Sequence, residues 1–320
     1  MTLELVKWFL VFALALFVLI KSADFFTEYS EKLGKILNVP QFIIGVTIIA
    51  LGTSLPELMT SIIATLRDET AIVSANVVGS NIANILLIGG FSSILAGTIA
   101  VEKSLIKIDL PLLIGVTAIL ITTLWDGQFT FLEGIIMLLT YGIYVIYNYN
   151  EHNSTKEKFS EMAKHTMEKK EKPSPKIFLV IVLSCVGIFL GADYTVKAVT
   201  EISSILNIAS AAIAVSTIAI GTSLPELFVS YKAIKKKNFE LVVGNIIGSN
   251  IFNATIVMAI PSFISPLYVQ SSIINIAVPF LIIATILFAF SGIERKIFSF
   301  EGALYGLIYL IFIGQLYNFI

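Results

Sequence analysis

The sequence predicts an all-α membrane protein of ten transmembrane helices, built as two inverted five-helix repeats with helices broken at the midplane. Three observations lead there. Of 320 residues, 57% are hydrophobic and 13% charged, with a mean hydropathy of +0.91, whereas soluble domains hold about 45–50% apolar and about 25% charged residues. Apolar stretches of spanning length, roughly 20 residues, recur along the whole chain. The heptapeptide Gly-Thr-Ser-Leu-Pro-Glu-Leu occurs twice inside such stretches, at 52–58 and at 221–227.

Taken in order, the spans are 4–22, 41–66, 71–98, 105–124, 129–148, 176–196, 209–233, 239–265, 272–291 and 299–319. The first apolar run, Trp8 to Ile20, reads as a retained span. Between the fifth and sixth spans, residues 149–175 are rich in Lys and Glu and hold both histidines, His152 and His165. They read as a hydrophilic, partly helical connector. The chain thus divides into a first repeat (1–148), a cytoplasmic linker (149–175) and a second repeat (176–320). Trp125 reads as an interfacial anchor, and Gly89-Gly90 as a place of close helix packing.

Charge orients the spans. With the linker cytoplasmic, 18 of the 21 Lys and Arg residues fall in cytoplasmic segments, and only Lys7, Arg67 and Lys197 lie outside. That is the bias of the positive-inside rule. It places both termini outside a cell membrane. The net charge of −1 gives no reason to invoke nucleic acid, and the lone Cys185 excludes an internal disulfide.

The repeat extends beyond the heptapeptide. Asp24/Asp193, Gly52/Gly221, Asn76/Asn245 and Asn84/Asn253 are all separated by the same 169 positions. Gly-Ser-Asn-Ile at 79–82 returns at 248–251. Five spans per repeat is an odd number, so the two halves enter the bilayer in opposite senses, as in many secondary transporters.

The motif carries the chemistry. Glu57 and Glu226 are acids inside membrane segments, which marks a functional site by default. Helical spacing puts Thr53 and Glu57 on one face, with Ser54 nearby. Pro56 removes a backbone donor and Gly52 adds freedom. The helix is expected to open near 50–56 and to free carbonyls such as that of Ala50. Ala219, Thr222, Ser223, Pro225 and Glu226 repeat the pattern. A second element is the stripe Asn76, Ser80, Asn84, repeated as Asn245, Ser249, Asn253. Ser80, Asn84, Ser249 and Asn253 read as ligands. Asn76, Asn81, Asn245 and Asn250 read as helix-packing groups. Asp24 and Asp193 read as helix-end or interfacial acids.

Pooled, these residues offer two carboxylates, hydroxyls, amide oxygens and carbonyls. An all-oxygen set suits hard cations such as Ca²⁺ and Na⁺ rather than zinc or copper. Two carboxylates neutralise one Ca²⁺. Without it they repel, so the unloaded site needs Na⁺ or H⁺ in its place, which is the physical basis of obligate exchange.

The paired Gly-Thr-Ser-Leu-Pro-Glu and Gly-Ser-Asn-Ile motifs resemble the two alpha-repeats of the sodium/calcium exchanger family, within the calcium/cation antiporter superfamily, in its prokaryotic ten-span form. The resemblance implies that Glu57 and Glu226 are the central Ca²⁺ carboxylates. It implies that Thr53, Ser54, Thr222 and Ser223 serve Ca²⁺ and Na⁺ with hydroxyls and carbonyls. Ala50 and Ala219 would give carbonyls to outer Na⁺ sites, with Ser80 and Ser249, while Asn84 and Asn253 lie beside the centre. It also implies that the first span of each half is long and tilted and slides against the other eight. Where this chain has Asn253, several relatives, including potassium-dependent ones, have aspartate; asparagine disfavours K⁺ coupling. The proton-coupled branch typically has Gly-Asn-Ala-(Thr/Val)-Glu, so the hydroxyl pair here favours sodium.

The expected function is therefore a Na⁺/Ca²⁺ antiporter working by alternating access, without a cofactor. A proton-coupled exchanger of Ca²⁺ or another divalent cation is the close alternative. A channel would need no counter-ion. An intramembrane enzyme would need a nucleophile–base set or a metal-binding His pair, and the spans offer neither.

Overall fold

The computed structural model describes residues 2–36, 50–100, 109–159, 174–317 and 319. Residues 41–49 of the second expected span, 105–108 of the fourth and 160–173 of the linker lie outside them. The first half begins with α1 (Thr2–Ile36). The broken second span follows as α2 (Ala50–Thr53) and α3 (Leu55–Leu66). The third span is α4 (Ala71–Ile82), a π-helical stretch over Ala83–Gly89, and α5 (Gly90–Ala96). Strand β1 (Thr98–Ala100), α6 (Asp109–Leu124), β2 (Gln128–Phe129) and α7 (Phe131–Phe159) complete it.

The second half runs α8 (Pro175–Leu206), then α9 (Ser210–Ile213), a π stretch over Ala214–Ile218, α10 (Ala219–Thr222) and α11 (Leu224–Lys235). Next come α12 (Phe239–Phe252), a π stretch over Asn253–Val257 and α13 (Met258–Ser262). Strand β3 (Leu267–Tyr268), a π turn over Ile273–Ala277, α14 (Val278–Ile293), β4 (Lys296–Phe298) and α15 (Ser299–Leu316) close the chain. Among the described residues, seven helices are long and apolar enough to cross a membrane, and three shorter apolar helices, Leu55–Leu66, Asp109–Leu124 and Phe131–Tyr147, fall in the remaining expected spans.

The repeat is visible in the backbone. Helices α3 and α11 both have twelve residues and sit 169 positions apart. Each ends beside a residue at positive φ, Asp68 at 62° and Lys237 at 56°, a left-handed turn that frees the chain to reverse. Two small antiparallel ribbons, unforeseen in the sequence, tie the halves together. Strand β1 pairs with β4, Thr98 opposite Phe298, and β2 pairs with β3, Gln128 opposite Tyr268. By the repeat, β1 matches β3 and β2 matches β4, so the ribbons are images of each other at opposite ends of the bundle. Helix α5 crosses α15 where a Cβ on Gly90 would lie 2.8 Å from the Gly302 carbonyl; the close packing expected at Gly89-Gly90 is found there.

Helices α1 and α8 stand apart in character. They run 35 and 32 residues, about 50 Å at 1.5 Å per residue, against a hydrocarbon core of about 30 Å. Only 22% of the apolar window of each is buried, against 89% for Ala71–Ala96. They pack chiefly on one another, a peripheral pair beside an eight-helix core. The sequence limits of 4–22 and 176–196 stopped short because the later turns carry charge and leave the apolar zone. Asp24 and Asp193 are consequently interior to their helices, which removes the helix-end reading and leaves the interfacial one.

Close approach of α1 and α8 depends on Gly187 and Gly191, a Gly-xxx-Gly spacing. A Cβ on Gly191 would sit 2.7 Å from the Leu19 backbone, and one on Gly187 would meet the Ser22 side chain. Inserting methyl groups into such a contact costs roughly 1–3 kcal/mol. Gly191→Ala should lower the thermal unfolding midpoint of the detergent-solubilised protein, and Gly191→Val should lower it further. An unchanged midpoint for the valine variant would show that this crossing does not hold the pair.

Candidate functional site

The polar centre is made where α2 gives way to α3 and α10 to α11. One residue makes each break: Ser54 at φ −93°, ψ 10° and Ser223 at φ −82°, ψ 5°. Pro56 and Pro225 then occupy the second helical position, where the missing N–H is no loss to the new helix. Glu57 and Glu226 follow in the first turn, at the positive end of the helix dipole.

The opening is narrower than the sequence led us to expect. Leu58 N donates to Ser54 O at 3.1 Å, and Leu227 N to Ser223 O at 3.2 Å, so the ladder resumes at once. The Ala219 carbonyl, expected to be free, accepts from Ser223 N at 3.1 Å and lies 3.5 Å from Thr222 Oγ1. Thr222 Oγ1 also donates to Ile218 O at 3.1 Å. Ala50 is the first residue of α2, and Thr53 is buried at its end.

The two halves serve each other's acids. Ser54 Oγ donates to Glu226 Oε1 at 3.3 Å, and Ser223 Oγ donates to Glu57 Oε1 at 3.4 Å. Ser249 Oγ adds a second donor to Glu226 Oε1 at 3.3 Å. Both carboxylates are at most 1% exposed. A buried charge with neutral hydroxyl partners alone is costly, so the pair demands positive charge. Its remaining oxygens, Glu57 Oε2 and Glu226 Oε2, have no hydrogen-bond partner among the described residues. The same is true of Ser80 Oγ and of both polar atoms of Asn84 and of Asn253. Buried polar groups are normally paired. These unpaired atoms belong to residues that the sequence marked as ligands; Oδ1 of Asn76, Asn81 and Asn250 and the hydroxyls of Thr60, Ser92 and Tyr309 also have no partner among the described residues. Among the described residues no three His, Cys, Asp or Glu side chains gather, so the negative charge here rests on the two glutamates and the other oxygens are neutral.

Of the other asparagines, Asn76, Asn81 and Asn245 make the packing contacts expected of them, while the Asn250 side chain bonds within its own helix. Asn76 Nδ2 donates to Glu57 O and to Ser61 Oγ, each at 3.4 Å. Asn245 Nδ2 repeats this with Glu226 O at 3.1 Å and Ser230 Oγ at 3.2 Å. Each thus fastens the backbone of a central glutamate to α4 or α12. Asn81 Nδ2 donates to Asn250 O at 3.2 Å, and Asn250 Nδ2 to Ile246 O at 2.7 Å.

Sequence reasoning missed the π-helical stretches. Asn84 and Asn253 lie at the start of two of them, and a third leads into Ala219. Such turns often occur at functional sites. Composition carries no signal for them. Ser61 and Ser230, the partners of the asparagine clamps, are repeat mates and could have been found by the same offset.

The sodium/calcium exchanger protein family matches residues 7–150 and 176–317. An uncharacterized membrane protein of Methanocaldococcus jannaschii is 32% identical over 306 residues, covering 95% of this chain and 96% of its own. The sodium/calcium exchanger MaX1 of Methanosarcina acetivorans is 29% identical over 353 residues, covering 97% and 98%. The solved sodium–calcium exchanger NCX_Mj, soaked with 2.5 mM Na⁺ and 0.1 mM Ca²⁺, superposes with a TM-score of 0.64 at 30% identity, covering 97% of this chain and 98% of that one. The chain belongs to the sodium/calcium exchanger family.

The asparagine clamps generate a test. Asn245→Leu keeps the approximate shape and removes both donations, each worth roughly 1 kcal/mol net. Asn245→Leu and Asn76→Leu should each lower the thermal unfolding midpoint in detergent, while a Leu substitution at exposed, lipid-facing Phe290 should not. A clamp variant as stable as the parent protein would show that these contacts are idle.

Proposed function

We propose that this multi-pass membrane protein exchanges Na⁺ for Ca²⁺ by alternating access, with the ions held between the two halves. Glu57 and Glu226 supply the charge that balances Ca²⁺. Ser54, Ser223, Thr53 and Thr222 contribute hydroxyl and carbonyl oxygens, and Asn84 and Asn253 lie beside the centre. Ser80 and Ser249, with the carbonyls of Ala50 and Ala219, form the outer Na⁺ positions. For Ala219 this needs the carbonyl to turn from its bond to Ser223, which the neighbouring π stretch gives it slack to do.

The observation that carries this reading is the crossed pairing of Ser54 with Glu226 and Ser223 with Glu57. Neither half can complete the site alone. Any relative movement of the halves or their flanking helices therefore changes the ion shell, which couples occupancy to shape. Charge alone does not select Na⁺ over H⁺, since either can replace Ca²⁺ two for one. A proton needs one carboxylate oxygen, whereas Na⁺ needs several neutral oxygens, and this chain buries such a set in each half. The division into repeats at 1–148 and 176–320 around a 149–175 linker is part of the same reading.

Reconstituted vesicles test it. An outward Na⁺ gradient should drive Ca²⁺ uptake at constant pH and without K⁺, and Glu57→Gln or Glu226→Gln should abolish it while the protein still inserts. Losing one of two balancing charges should weaken Ca²⁺ binding well beyond the tenfold that about 1.4 kcal/mol represents. Uptake driven by a pH gradient alone, indifferent to Na⁺, would replace the sodium reading with the proton one.

The lysine bias puts residues 149–175 and Lys235–Lys237 in the cytoplasm and both termini outside the plasma membrane. In a Cys185→Ser background, a cysteine at Ser160 should resist an impermeant thiol reagent in intact cells and react once the cells are opened. Labelling from outside would reverse the orientation.

A further inference from the structure

An ion pair joins peripheral helix α8 to the core, and among the described residues the repeat mates of its two members do not pair with each other. Arg67, just past α3, meets Asp193 in the middle of α8, with Nε 2.7 Å and Nη2 2.5 Å from Oδ1. The two side chains are 37% and 26% exposed. The repeat places Lys236 where Arg67 stands and Asp24 where Asp193 stands, so both charges are duplicated with their signs. Yet Asp24 is paired locally with Lys21, one turn away on the same helix, at 3.1 Å. Lys236 is exposed.

The core does not cause this difference. Helices α3 and α11 have matching limits, and the left-handed residues after them, Asp68 and Lys237, also match. Arg67 and Lys236 are therefore presented alike, at opposite faces of the bundle. What differs is the peripheral pair. Helix α8 packs along α3, whereas α1 touches α11 only sparsely among the described residues. The face bearing Arg67 is closed by α8, whereas among the described residues α1 lies much less closely along the helix that ends at Lys236.

We propose that Arg67–Asp193 and Lys236–Asp24 are the two ends of one gating latch, made alternately as the α1–α8 pair moves. In an inverted repeat, the opposite-facing state is reached when each half takes up the arrangement of the other. Applied here, that exchange breaks Arg67–Asp193, swings α1 onto α11, and moves Asp24 from Lys21 to Lys236. The strength of the contact suits the task. A partly exposed ion pair shifts a two-state equilibrium by no more than roughly fivefold, enough to bias two states and too little to trap either. The close α1–α8 crossing at Gly187 and Gly191 lets the two helices move as a unit.

This inference rests on alternating access but not on which ions are exchanged, and its test needs no ion flux. In reconstituted Cys185→Ser protein, the pairs Arg67→Cys/Asp193→Cys and Asp24→Cys/Lys236→Cys should both be joined by a short, cleavable thiol cross-linker, read by mass spectrometry. Absence of the second cross-link with Na⁺, with Ca²⁺ and with neither, while the first forms, would overturn the latch. A second readout keeps both charges in play. Spin labels at Phe25 and Lys235 report the gap between α1 and α11. Arg67→Gln should raise the short-distance population roughly two- to fivefold, Lys236→Gln should lower it by a similar factor, and the exchange Arg67→Asp/Asp193→Arg should restore the parent distribution. A purely structural ion pair would leave this distribution unmoved, and equal shifts in one direction would also refute the proposal.

Discussion

Two carboxylates buried at the centre of a membrane-spanning bundle constrain nearly everything else in this structure. Removing Glu57 and Glu226 from water costs several kcal/mol for each ion even after relaxation, and the bilayer offers no solvent to repay it. The chain answers with hydroxyl donors brought across from the opposite half, Ser54 to Glu226 and Ser223 to Glu57. Those hydroxyls can reach only because each helix is interrupted at the serine itself. The proline two residues later stabilises the restart rather than prolonging the gap. The asparagines of α4 and α12 then hold the restarted helices by the carbonyls of the very glutamates in question. Duplication is thus a physical requirement: one motif supplies the charge, and its twin supplies the donor.

The same requirement explains what the sequence revealed. A glutamate, two hydroxyls and a proline amid apolar residues cannot be ordinary packing, so the site and the repeat were legible together. The common offset carried the argument out to Asn84 and Asn253, whose buried and unpaired amides are where that offset pointed. Other features left no such trace. The π-helical stretches at Ala83–Gly89 and Asn253–Val257 depend on backbone slack, which no side-chain pattern encodes. The ribbons joining β1 to β4 and β2 to β3 are too short for alternation to register. Hydropathy truncated α1 and α8 because it senses the bilayer and not the helix, and it thereby misplaced Asp24 and Asp193 at helix ends. The Gly-xxx-Gly spacing at Gly187 and Gly191 was readable but lay outside the duplicated motif: Val18 and Ser22 hold the corresponding positions in α1.

Departures from the repeat are as informative as the repeat. Ser249 reaches Glu226, but its mate Ser80 has no partner among the described residues. Gly52 faces Thr27 of α1, and Gly221 faces Leu16 of the same helix, where strict symmetry would offer α8. Arg67 holds Asp193, while Asp24 stays with Lys21. These three asymmetries involve the carboxylates, the motif glycines and the residue just past α3. A molecule with two matching halves and no such differences would face neither side. The energy that separates its two faces must reside in contacts like these, each weak and each with a mirror position already furnished in the sequence. On the exchange proposed above, an ion that closes the shell around one glutamate would alter the seat of α1 on Gly52 and Gly221, and that seat would set which end of the peripheral pair is docked. Binding and facing are then a single equilibrium, because the residues that satisfy the buried charge and the residues that bear the moving helices belong to the same seven-residue motif.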